Sequence, residues 1–89
     1  MRDKNLNLEN PESNPWRTPD LYLAAFLKAR GLSFGGVERE GRRAFFLFPQ
    51  IPLLEELIGD FYNGGAVSAL AYKEALRTLR EIIYSGGRP

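Results

Sequence analysis

The chain of 89 residues contains no cysteine and no histidine. Without thiols, disulfide frameworks, thiolate zinc sites and thiol nucleophiles are excluded. Without imidazole, the commonest general base is missing as well. The lack of cysteine fits a reducing compartment. No apolar run approaches the length of about 18 residues that a membrane helix needs. The opening Met1-Arg2-Asp3-Lys4-Asn5 has no apolar run behind it, so no signal peptide is expected. A cytoplasmic protein is the simplest expectation. There is also little excess of either charge, with 12 basic and 11 acidic side chains and a net value of +1. That calls for no polyanionic partner.

A chain of this length makes one small domain. Residues 1–15 are rich in Asn, Glu and Pro and offer only Leu6 and Leu8 for burial. They are expected to form a flexible arm, whose Leu6 and Leu8 could add an edge strand to a partner. Residues 16–85 are expected to form a single α+β domain, and residues 86–89 a flexible tail.

Thr18-Pro19-Asp20 reads as a helix start. Thr18 can cap, Pro19 suits the first helical position, and Asp20 favours the positive end of the dipole. The helix runs from Leu21 to Arg30, and Gly31 supplies a left-handed cap. Residues 21–27 are apolar nearly all round. Such a helix is buried on several sides, which in so small a chain suggests contact with another molecule. Leu32 to Val37 reads as a strand, with Gly35-Gly36 marking a bulge or close backbone approach.

Val37-Glu38-Arg39-Glu40-Gly41 followed by Arg42-Arg43-Ala44-Phe45-Phe46-Leu47-Phe48 reads as a β-hairpin turning at Glu40-Gly41. Ala44, Phe46 and Phe48 point to one face of the second strand, and Phe45 and Leu47 to the other. A surface hairpin should be apolar on one face only. Something must cover the second face: a helix, a second copy or a partner.

Pro49 ends that strand, and Pro52 can open a second helix, Leu53 to Tyr62. Leu54, Leu57, Ile58 and Phe61 share one face of it. Asn63-Gly64-Gly65 breaks the chain. Ser68 then caps a third helix, Ala69 to Tyr84, before Gly86-Gly87. The order is helix, hairpin, helix, helix (αββαα), with the helices packed on a small antiparallel sheet.

Residues 16–50 carry six basic and three acidic side chains. The basic excess makes a modest positive patch at most, because folding could place Glu38 and Glu40 beside the arginines. Arg39, Arg42 and Arg43 adjoin Phe45, Phe46 and Phe48. Basic residues beside aromatic strands can hold single-stranded nucleic acid, but apolar rings default to the core. Lys73, Arg77 and Arg80 form a second basic stripe, diluted by Glu74 and Glu81.

The carboxylates Glu55, Glu56, Asp60, Glu74 and Glu81 match no calcium-loop pattern, and none of the glycine pairs makes a phosphate loop. No cofactor, metal or catalytic residue is therefore expected, and no small-molecule substrate. The large side chains available for an interface are Trp16, Tyr22, Phe26, Phe45 and Leu47.

Several strings carry a family resemblance. They are Thr18-Pro19-Asp20-Leu21-Tyr22-Leu23-Ala24-Ala25-Phe26-Leu27, Gly31, and Gly36-Val37-Glu38-Arg39-Glu40-Gly41-Arg42-Arg43. Leu57, Phe61-Tyr62-Asn63-Gly64 and Tyr72-Lys73-Glu74-Ala75-Leu76 continue it. Over residues 18–84 the chain resembles a family of small uncharacterised bacterial and phage proteins, a domain of unknown function. The resemblance implies a standalone domain and no activity, cofactor or catalytic residue. The polar arm before Trp16 departs from the family pattern.

The leading expectation is thus a non-catalytic interaction module, a homodimer that binds another macromolecule and not a membrane. The alternative is a nucleic-acid-binding accessory protein using Arg39, Arg42, Arg43, Lys73, Arg77 and Arg80.

Overall fold

The computed structural model describes residues 15–86. Of the expected arm, residues 1–15, only Pro15 is described, and of the expected tail, residues 86–89, only Gly86; Leu6 and Leu8 fall on 1–14 and the rest of the tail on 87–89. Both stretches lie outside the described residues. The elements are β1 (Trp16–Thr18), α1 (Leu21–Ala29), β2 (Gly36–Glu40), β3 (Arg43–Phe48), α2 (Pro52–Tyr62) and α3 (Ala69–Gly86). The expected order of helix, hairpin, helix, helix is observed in an α+β fold. A short strand, β1, precedes it and was not anticipated.

The sheet is antiparallel with order β1-β3-β2, so β3 is its central strand. Trp16, Arg17 and Thr18 stand opposite Phe48, Leu47 and Phe46. On the other side Val37 faces Phe46 and Glu40 faces Arg43. The turn is therefore Gly41-Arg42, one residue later than expected. Gly41 has φ of 63°, which suits the first position of a two-residue hairpin turn. β2 also starts later than expected. Leu32 is not a strand residue but is buried just past the end of α1. The expected close approach is present, since the Gly35 N–H donates to the Leu47 carbonyl at 2.7 Å. A Cβ on Gly35 would lie 3.3 Å from that oxygen.

The N-cap of α1 is Asp20, not Thr18. The Asp20 carboxylate accepts from the N–H groups of Tyr22 and Leu23 at 2.9 and 3.2 Å. Thr18 is held extended by its pairing with Phe46, so the helix can begin only after Pro19. The Thr18 hydroxyl instead accepts from the Asp20 N–H at 3.1 Å. At the other end Gly31, at φ 101°, closes the helix. Its N–H donates to the Lys28 carbonyl and that of Leu32 to the Leu27 carbonyl, the two bonds of a Schellman motif. α2 closes with the outer bond of the same motif. Gly64 has φ of 80°, and the Gly65 N–H donates to the Asp60 carbonyl at 2.6 Å.

α1 is the central helix. Leu23, Ala24, Ala25, Phe26 and Leu27 are all buried. Most of them join Phe46 and Phe48 of β3, Leu54 and Leu57 of α2, and Ala75 and Leu79 of α3 in one core cluster. Residues 23–27 are thus covered within the chain, whereas Tyr22 in the first turn remains exposed. α3 starts as expected, the Ser68 hydroxyl accepting from the Ala71 N–H at 3.2 Å. It continues two residues past Tyr84 to Gly86. There Arg39 reaches across from β2 and donates to the carbonyl of Ile83. A cation on one of the last carbonyls of a helix is favourable.

Candidate interaction faces

Strand alternation gives β3 two unlike sides. Phe46 and Phe48 are each 1% exposed and belong to the core. Phe45 and Leu47 point the other way, are half-buried, and are not among the apolar residues packed on the core. The side chain that covers Phe45 comes from β1. The Arg17 guanidinium lies 4.2 Å from the centre of the Phe45 ring, and that of Arg43 lies 5.4 Å away. Arg17 also donates to Glu38 at 2.8 Å and to Glu40 at 3.2 Å. The outer side of the sheet is therefore an aromatic and an aliphatic side chain framed by two arginines and two glutamates. Its charges balance. Beside Leu47 a shallow cavity of about 140 Å³ is lined by Pro15, Phe34, Gly35 and Pro49 among others, extending the apolar surface past the end of the sheet.

The six basic residues singled out in the sequence are not gathered at one place. Arg39 lies on the inner side of the sheet and is engaged by Ile83. Arg43 lies on the outer side over Phe45. Arg42 is exposed in the turn. Lys73, Arg77 and Arg80 are on α3. Arg77 pairs with Glu74 and, at 3.8 Å, with Glu81. The Glu74 hydrogen bond raises the Arg77 pKa further above its ordinary value. Lys73 and Arg80 have no acidic partner within ion-pair distance among the described residues. The Arg39 bond brings the hairpin to the last turn of α3, whereas Arg43 lies on the opposite side of the sheet.

The outward side of α3 is an open face made of that one helix's own side chains. Ala69, Tyr72, Leu76 and Tyr84 line it together with Lys73 and Arg80. Tyr84 is 73% exposed. Tyr72 is half-buried and donates its hydroxyl to the Tyr22 carbonyl at 3.3 Å. Partial burial, then the neighbouring Asp20 and Tyr22, push its pKa above the usual tyrosine value, with Arg80 opposing.

The carboxylates are dispersed. Asp60 pairs with Arg30 at 3.3 Å, Glu74 and Glu81 with Arg77, and Glu55 and Glu56 are exposed. No group of three acidic side chains that could hold a metal ion occurs among the described residues. No helix among them is long and apolar enough to cross a membrane.

Of the side chains expected at an interface, Phe26 is not available. It is 3% exposed, with its ring 5.4 Å from that of Phe61 and Arg30 beside it. Helical position, not outward display, explains its size. Trp16 is half-buried against the core from β1, and Tyr22 is 54% exposed. The residue missed is Arg17. Its only sequence signal is its place between Trp16 and Thr18 in a strand, where alternation sends it outward. Glu38 and Glu40 do neutralise an arginine, but that arginine is Arg17.

No curated protein and no solved structure matches the chain. A family model does match, over residues 13–85. The chain belongs to that family, the domain of unknown function DUF5659.

Proposed function

We propose that the chain is a small non-catalytic interaction module that first binds a second copy of itself through the outer side of its sheet. The observation that carries this reading is the position of Phe45 and Leu47. Both stand outside the core, on the side of β3 away from Phe46 and Phe48. Their surroundings hold two cations and two carboxylates. Across a two-fold axis such a patch can set each charge against its opposite on the copy. A balanced patch of this kind gives no field to draw a polyanion. The three strands alone would bury less than the roughly 800 Å² per partner of a standard interface. The apolar surface running on through Pro15 and Pro49 supplies further area. A cytoplasmic setting, proposed from the lack of cysteine, and a bacterial or phage source, proposed from the family resemblance, go with this reading.

The test is mass in solution. Wild-type protein and Leu47→Glu should be compared by sedimentation velocity across a concentration series. The expected result is a concentration-dependent dimer for the wild type and a folded monomer for the variant. A wild-type monomer at every concentration, or an undiminished dimer in Leu47→Glu, rejects the reading. Phe45→Glu gives a second check at the same face.

The alternative reading is nucleic-acid binding through Arg39, Arg42, Arg43, Lys73, Arg77 and Arg80. It has the adjacency of Arg39 to α3 in its favour, and the pairing of Arg77 with Glu74 and Glu81 against it. Anisotropy with labelled single- and double-stranded oligonucleotides at two salt concentrations decides it, because phosphate contacts weaken steeply with salt.

A further inference from the structure

Arg17 belongs to β1, and both of its carboxylate partners belong to β2 at the other edge of the sheet. Adjacent strands lie about 4.8 Å apart, so the side chain crosses the whole of β3 to reach them. It crosses at Phe45, the residue of β3 that stands opposite Glu38. The ion pairs therefore hold the guanidinium on the ring. Leu47, the other apolar side chain of this face, opens instead onto the cavity beside Pro15 and Pro49. Among the described residues that cavity's lining holds no charged side chain. Half of the apolar face is open and half is closed.

We propose that Arg17 is an autoinhibitory cover, which must swing off Phe45 before the outer side of the sheet can take a second copy. The cover regulates the dimer proposed above and rests on that reading. The guanidinium, 4.2 Å from the ring centre, fills the place that an apolar side chain of the copy would take. Its hold is weak enough to release. The Arg17, Glu38 and Glu40 side chains are 40%, 55% and 65% exposed, and water screens ion pairs of that kind. Swinging away buries no charge, because the freed guanidinium and carboxylates pass into solvent. Only molecules with Arg17 off the ring are competent to dock, and the apparent affinity is reduced by that fraction.

The experiment uses the Arg17→Ala, Glu38→Gln double variant. It removes one cation and one carboxylate, so Arg43 and Glu40 leave the face neutral. Dimer dissociation constants of wild type and double variant are measured by analytical ultracentrifugation, each with Phe45 intact and as Phe45→Ala. With the ring intact, the double variant should dimerise about tenfold more tightly than wild type, since a weak cover is lifted from each of two copies. With Phe45→Ala, the same two changes should alter the constant by less than about twofold, because there is no ring to uncover. An unchanged or weaker dimer in the double variant, beside a wild-type dimer that Leu47→Glu disrupts, overturns the cover and leaves the dimer reading standing. A tightening that persists without the ring also overturns the cover, as an effect of the charges alone. Monomers at every concentration in both wild type and double variant reject the dimer reading, and the cover with it. Thermal melts establish that each variant is folded.

Discussion

The guanidinium of Arg17 lies over the ring of Phe45, 4.2 Å from its centre, and is anchored there by Glu38 and Glu40. One side chain from the shortest strand therefore ties all three strands together on their outer side. Its solvent-exposed ion pairs contribute little singly, because water screens them. The contact with the ring adds to them. Arg17→Ala should lower stability by about 1 kcal/mol, read from urea denaturation. Arg17→Lys should fall between, since an ammonium cannot fork to two carboxylates. No loss in Arg17→Ala would mean that the lid over Phe45 has no energetic role.

The two sides of β3 should answer differently to truncation. Phe46→Ala opens the core and should cost about 3–5 kcal/mol. Phe45→Ala removes a half-buried ring and its cation contact, so its cost should be nearer about 1 kcal/mol. Denaturation at low protein concentration keeps association out of the comparison. Equal losses would show that both sides of the sheet are equally enclosed.

Two glycines of the α2 region should respond with opposite signs. A Cβ on Gly65 would meet the Asp60 carbonyl oxygen at 2.8 Å, in the bond that closes the helix. Gly65→Ala should destabilise by about 1–3 kcal/mol. Gly59 lies inside α2 with nothing within 4 Å of an added Cβ. Gly59→Ala should stabilise by roughly 0.5–1 kcal/mol. Thermal melts of the two variants check both directions.

Tyr72 gives a pH signature. Its pKa is raised in the folded chain, first by burial. The folded state therefore holds its phenolic proton more tightly than the unfolded state does. That contribution is complete below the ordinary tyrosine pKa of 10.0 and is lost as pH rises through the folded value. Stability of Tyr72→Phe should fall less steeply in that alkaline window than the wild type's. At neutral pH the variant should lose no more than about 1 kcal/mol, for one exposed hydrogen bond. Parallel alkaline slopes would remove Tyr72 from the pH response.

The helices were legible because their ends are written locally. Ser68, Pro52, Gly31 and Gly64 sit within a turn of the boundaries they set. β1 was not legible, because three residues are too few for alternation to register and its partner strand lies far away in the chain. That omission also misplaced the cap. Thr18 and Asp20 are both good N-caps by type, and only the pairing of Thr18 with Phe46 decides between them. Both apolar surplus features of the sequence had the same ambiguity. Residues 23–27 are covered by α2, α3 and the sheet, while Phe45 received an arginine from 28 positions earlier. Composition shows that apolar surface exists, not which part of a small chain will cover it.

The sheet order also sets a sequence of events in time. β2 and β3 are joined by two residues, so their ladder closes a short loop. β1 can reach β3 only by bringing residues 16–18 to residues 46–48, with α1 and the hairpin lying between in the chain. Closing the longer loop carries the larger entropy cost, and distant pairings form late. By that cost β1, one of the two edge strands, is expected to pair last. Until β1 pairs, Arg17 cannot lie over Phe45, so the cover of the outer sheet depends on the docking of three residues.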